Sequence, residues 1–180
     1  MKKSRSAPID HVARLIEQRR RESPDVPLDG MEILARARRL DLLSRPPIEA
    51  VFKSYGIDTG EFDVLATLQR AGPPYTLRPT ELFETLMISS GGLTDRLTRL
   101  EKRGLVARAP SPCDGRSLLV ALTPKGGTLI DKAFRKDMKI ELELLAPLSR
   151  KERDTLANLL AKLLIGIEEN RTPESRSNRR

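Results

Sequence analysis

The chain has 180 residues, with 33 Lys and Arg against 25 Asp and Glu, for a formal net charge of +8. That length supports one sizeable core, and the positive surplus favours a polyanionic partner, nucleic acid first. Aromatic residues make up only 3% and Trp is missing, which argues against ring-stacking readers of single strands or RNA loops and leaves duplex DNA.

In chain order, the first helix is expected from Ile9 to about Glu22, with Ile9, Val12, Leu15 and Ile16 at helical spacing. Ser23-Pro24-Asp25-Val26-Pro27 breaks it, and Asp29 is expected to cap a second helix that Pro46-Pro47 kinks or interrupts. Asp58-Thr59-Gly60-Glu61 has the form of a capping box before the apolar run Phe62, Leu65, Ala66 and Leu68. After Gly72-Pro73-Pro74 comes a short extended piece, then a helix over 79–86 expected to bury Leu82, Phe83 and Leu86. Ser89 or Ser90 is placed to cap a further helix running to about Arg103.

Residues 105–109 and 117–122 read as two strands joined by a turn-rich segment, Pro110 to Arg116. Thr123-Pro124 opens a long helix, and Ser149 with Glu152 forms a second capping box opening a final one. The polar stretch 171–180 is expected to be disordered. The fold class is therefore mostly α with a small β-wing, a winged helix-turn-helix. The terminal helices carry apolar stripes too long for so small a body to bury, so a homodimer interface from the N- and C-terminal helices is expected.

Two short helices followed by a hairpin point to a DNA reader. In the second of them Leu93, Leu97 and Leu100 face the core, leaving Ser89, Ser90, Gly91, Thr94, Asp95, Thr98 and Arg99 for DNA. Small residues at its start allow close approach, and unpaired helix N–H groups favour phosphate. A solvated amphipathic helix gives the same pattern. Arg108 on one strand and Arg116 near the wing tip suit a minor groove, with Asp114 placed to orient Arg116 or merely to form a surface ion pair.

Residues 58–134 resemble the MarR family of multiple-antibiotic-resistance-type repressors. The matching runs are 77–82 (LRPTEL), 89–97 (SSGGLTDRL), 100–106 (LEKRGLV), Asp114-Gly115-Arg116 and 122–126 (LTPKG). The resemblance implies a winged-helix dimer on pseudo-palindromic double-stranded operators, often released by a small aromatic ligand. The added N-terminal helix is similar to a narrower branch, the urate- and aromatic-responsive regulators. Asp63, Arg70 and Arg96 occupy that branch's ligand positions, and Arg19 stands where the branch has Trp. Without that ring the implied effector shifts from urate toward a more anionic ligand, such as an aromatic carboxylate or an acyl-thioester.

Arg96 also sits at the edge of the buried helix face, where a ligand carboxylate would pull on the reading helix; a structural pair with Asp63 or another acid is the alternative. The implied organisation is dimerisation and part of the ligand pocket in 1–57, DNA binding in 58–122, dimerisation helices in 123–170 and a tail in 171–180. The expected function is a ligand-released repressor; the alternative is a ligand-independent DNA-binding or architectural protein whose pocket is filled by side chains.

One His (His11) and one Cys (Cys113) leave no catalytic triad, disulfide framework or multi-Cys zinc site within one chain. No enzyme, cofactor or metal is therefore expected. Cys113 in the wing is either an inert thiol or an oxidant sensor, and Asp114 beside it opposes the thiolate a sensor needs. No apolar run is long enough to span a bilayer, and Met1-Lys2-Lys3-Ser4-Arg5 is basic with no apolar segment behind it. A cytoplasmic protein is expected.

Overall fold

A computed structural model describes residues 9–86, 92–110 and 118–171. The chain divides into two compact units, one ending at Asp137 and one beginning at Met138.

The first unit opens with α1 (His11–Glu22) and α2 (Asp29–Ser54). Asp10 caps α1, accepting from Ala13 N at 2.8 Å, and its second oxygen accepts from Arg36 Nε of α2 at 2.9 Å. Val12 and Ile16 are buried. In α2 the expected cap is corrected: Leu28 is the N-cap, without a side-chain bond, and Asp29 lies inside the first turn with Glu32, where negative charge suits the helix dipole. The expected interruption is also corrected, because α2 runs unbroken through Pro46 and Pro47. Beyond the prolines Val51 and Phe52 are buried, and Phe52 stacks on Phe62 at 4.0 Å. That burial offsets the donors the prolines remove.

The next helix, α3 (Thr59–Arg70), is the centre of this unit. Its capping box forms as expected: Glu61 N donates to Asp58 Oδ1 at 2.7 Å and Asp58 N to Glu61 Oε2 at 3.1 Å. Val64, Leu65 and Leu68 are wholly buried. β1 (Thr76–Leu77) follows, then α4 (Pro79–Thr85) and α5 (Leu93–Lys102). Leu82 of α4 is buried, but Phe83 is 53% exposed, against expectation. In a helix of two turns only one side reaches the core, and Leu82 takes it.

β2 (Val106–Pro110) and β3 (Leu118–Leu122) form the antiparallel wing. The expected two-stranded ribbon is a three-stranded sheet of order β1-β3-β2, with Thr76 opposite Ala121 and Val106 opposite Leu122. α6 (Pro124–Leu144) starts as read: Thr123 Oγ1 accepts from Gly126 N at 3.0 Å and donates to the Gly104 carbonyl at 2.8 Å. Gly126 is required there, because a Cβ would lie 2.1 Å from the Leu105 carbonyl oxygen.

The second unit contains the end of α6 and α7 (Arg150–Arg171). Ser149 N donates to Glu152 Oε2 at 2.8 Å, closing the second capping box. α7 reaches the first residue of the stretch read as a tail; the remainder, 172–180, lies outside the described residues. Leu159, Leu164 and Ile165 of α7 are more than half exposed. No helix among the described residues is long and apolar enough to cross a membrane. The same residues contain no group of three His, Cys, Asp or Glu able to hold a metal ion.

Candidate nucleic-acid interface

Helix α5 is fixed from its apolar face and its C-terminal end. Leu93, Leu97 and Leu100 are buried as expected. At the other end four elements meet. Arg99 Nε donates to Glu61 Oε1 at 2.9 Å and Arg99 Nη2 to Asp58 Oδ2 at 2.8 Å. The hydrogen bond to Glu61 is the main reason the Arg99 pKa is raised above its ordinary value. Arg103 Nη1 donates to the Gly56 carbonyl at 2.7 Å, just past the end of α2, and lies 3.6 Å from Glu61. Lys125 Nζ, from the first turn of α6, donates to the Arg103 carbonyl at 2.7 Å, placing a cation on the negative end of the α5 dipole.

Arg99, expected among the DNA-facing residues, is thus tied to the N-terminus of α3. The sequence concealed this because its partners lie 38 and 41 residues away. Glu61 and Arg103 were missed for the same reason. The capping box announced Glu61, but only as a local acceptor.

Thr94 and Asp95 are exposed on the open face of α5, and Thr98 is half-buried. Arg108 of β2 donates to Thr98 Oγ1 at 3.1 Å, and its Nε lies 3.3 Å from the Glu101 carboxylate, an ion-pair contact too poorly aligned to be a hydrogen bond. Arg108 therefore ties the wing to α5. Ser89, Ser90, Gly91, Asp114, Arg116 and Cys113 lie outside the described residues.

Of the four residues expected around a ligand, Arg96 packs across α3: a Cβ at Gly60 would lie 2.2 Å from Arg96 Nε. Asp63, one turn further along that helix, is 5% exposed, and both Asp63 and Arg96 have partners. Arg70 donates to Thr67 Oγ1 at 2.8 Å. Arg19 lines a groove with Leu15, Gln18, Glu22 and Met31, all on α1 and α2.

The arrangement of α4, α5 and a β2–β3 hairpin is matched in known proteins. A model described as "MarR family" matches residues 55–117. The HTH-type transcriptional regulator PecS of Dickeya dadantii is 35% identical over 160 residues, 89% of this chain and 96% of that protein. The chain belongs to the MarR family.

Another member, the multiple antibiotic resistance protein MarR of Salmonella typhimurium, is 36% identical over 109 residues, 60% of this chain and 74% of that protein. Among solved structures, a cysteine-to-serine mutant of Escherichia coli MarR in complex with operator DNA is 29% identical. It has a TM-score of 0.65 and covers 77% of this chain and 99% of that one. The fold is thus the MarR winged helix-turn-helix, and these MarR-family relatives are transcriptional regulators, not enzymes.

Proposed function

We propose that this MarR-family chain is a homodimeric, sequence-specific repressor that a small aromatic or otherwise anionic ligand releases from its operator. In this reading α5 enters the major groove with Thr94 and Asp95 foremost, together with Ser89, Ser90 and Gly91 before them. Arg116 and Asp114 serve the wing, and Arg99 and Arg108 act by holding α5 and the wing in register. Residues 1–57 and 123–170 supply the dimer, 58–122 the DNA contact. The observation that carries the DNA half is the likeness to MarR bound to operator DNA together with an α5 anchored at its C-terminal end by Arg99, Arg103 and Lys125. The ligand half rests on Arg96, a guanidinium of the reading helix laid across α3 at Gly60, on the helix that also carries the buried Asp63. A ligand anion competing for Arg96 would shift the helix that meets DNA.

A second reading has an observation in its favour. Arg96 fills the space over Gly60 closely, as expected of a ligand-independent DNA-binding protein whose pocket is occupied by its own side chains. Fluorescence anisotropy on an operator fragment, titrated with aromatic carboxylates and their thioesters, separates the two. Release by an aromatic anion, abolished by Arg96→Gln without loss of operator binding, supports the repressor. Unchanged binding under every such ligand sinks ligand control and leaves the second reading.

A further inference from the structure

The C-terminal ends of α2 and α5 meet, and both are built the same way. At the first, Gly56 N donates to the Lys53 carbonyl at 2.9 Å and Ile57 N to the Phe52 carbonyl at 3.1 Å, with Gly56 at φ +71. At the second, Gly104 N donates to the Glu101 carbonyl at 2.8 Å and Leu105 N to the Leu100 carbonyl at 3.0 Å, with Gly104 at φ +66. This left-handed ending satisfies two of the last carbonyls of each helix and leaves those at the tip to accept from elsewhere.

Three tethers use those ends. Arg103 Nη1 donates to the Gly56 carbonyl at 2.7 Å, tying α5 to α2. Lys125 Nζ donates to the Arg103 carbonyl at 2.7 Å, tying α6 to α5. The third side joins α2 to α6, and Tyr55 makes it: its hydroxyl donates to the Lys132 carbonyl at 3.3 Å. Lys136, one turn further along α6, reinforces that side. Its Nζ donates to Ser54 Oγ at 3.3 Å and lies 5.8 Å from the centre of the Tyr55 ring.

Neither partner needs the Tyr55 bond for its own folding. Lys132 lies inside α6, where its carbonyl already belongs to the helix ladder. The Tyr55 ring is only half-buried, and Val51 and Phe52 carry the burial at the end of α2. What the bond adds is closure. Two tethers on α5 let its C-terminal end swing with either neighbour. A third tether between those neighbours makes a triangle with one shape.

We propose that Tyr55 is a positioning residue for operator recognition: by closing the α2–α6 side of this triangle it fixes the direction of α5, and with it the discrimination between sequences. Tyr55 touches no DNA in this role and acts only through Arg103 and α5. The role rests on the reading above of α5 as the helix that enters the major groove.

The test uses the full chain and two duplexes, one selected by the wild-type protein from a random-sequence pool and one with the same bases scrambled. Fluorescence anisotropy gives the affinity for each, and their ratio gives the discrimination. Tyr55→Phe keeps the ring and removes one hydrogen bond. It should lower discrimination about fivefold and hold affinity for the scrambled duplex within about twofold. Its Tm should shift by less than about 3 °C. Arg103→Gln opens a second side. In a double-variant cycle the two losses should fall well short of additive, because a triangle opened once has already lost its shape. Additive losses overturn the positioning role, and so does a Tyr55→Phe protein that discriminates as well as wild type. Equal loss on both duplexes overturns it too, since that marks a general weakening of the fold. A wild-type protein that selects no preferred duplex sinks the reading of α5 along with it, whereas the other failures leave that reading standing.

Discussion

The carboxylate of Glu61 is 6% exposed and divides its two oxygens between tasks: Oε2 accepts from Asp58 N, and Oε1 from Arg99 Nε. Glu61→Gln must turn an amide NH2 toward one of these donors, leaving a desolvated N–H unmet. A loss of about 1–3 kcal/mol is expected, read by urea denaturation. Specific operator affinity should fall further than nonspecific affinity, because α5 loses its hold while its phosphate contacts remain. Equal loss of both would remove Glu61 from the positioning of α5. At Gly126 the demand is steric. A Cβ 2.1 Å from the Leu105 carbonyl oxygen forces α6 off the base of the wing, so Gly126→Ala is expected to cost about 1–3 kcal/mol. The chemical type of Glu61 and Gly126 was visible in the sequence, one as a capping acid and one within the LTPKG run. Their tertiary partners were not, since no local pattern encodes a contact between residues tens of positions apart.

At the scale of elements, the caps were the most legible feature. Asp58, Thr123 and Ser149 all start helices where the sequence placed them, because a side chain satisfying backbone N–H groups is a local event. Two of the caps predict a pH dependence. The Glu152 pKa is lowered chiefly by the Ser149 hydroxyl, then by Ser149 N. That of Asp10 is lowered by Ala13 N first and then by Arg36. A carboxylate depressed in the folded state stabilises fully above its unfolded pKa, and that contribution is lost as pH falls through the folded value. The first turns of α1 and α7 should therefore hold at neutral pH and fray only below the ordinary carboxylate range. Amide shifts of Ala13 and Ser149, which donate to the Asp10 and Glu152 carboxylates, should titrate together with those carboxyls when followed by NMR; titration within the ordinary range would contradict both caps. Less legible was β1, whose two residues carry too little pattern to announce a strand and are recruited by pairing with β3. The continuity of α2 was hidden as well, since its prolines broke the local rule while burial of Phe52 downstream overrode it.

For the molecule as a whole, charge and apolar surface lead to different measurements. With +8 formal charges and a duplex partner, operator affinity should fall steeply and log-linearly with salt as phosphates are neutralised; a flat response would argue against DNA. Ile33, Leu40 and Leu43 of α2, and Leu159, Leu164 and Ile165 of α7, are each at least 55% exposed in the single chain. Sedimentation should accordingly show a dimer at micromolar concentration, and Leu164→Asp should shift it toward monomer and weaken operator binding. A wild-type monomer at that concentration would contradict the proposed dimer.

The unbroken course of α2 through Pro46 and Pro47 carries one more consequence. Neither proline has an amide hydrogen, so the Leu42 and Leu43 carbonyls have no donor four residues on. Leu42 and Leu43, 58% and 57% exposed in the single chain, lie in the middle of a 26-residue rod. In deuterated solvent the rod should behave as two cooperative segments meeting at this gap. Amides flanking it, such as Ile48 and Glu49, should exchange well before those of Val51 and Phe52, which the core protects.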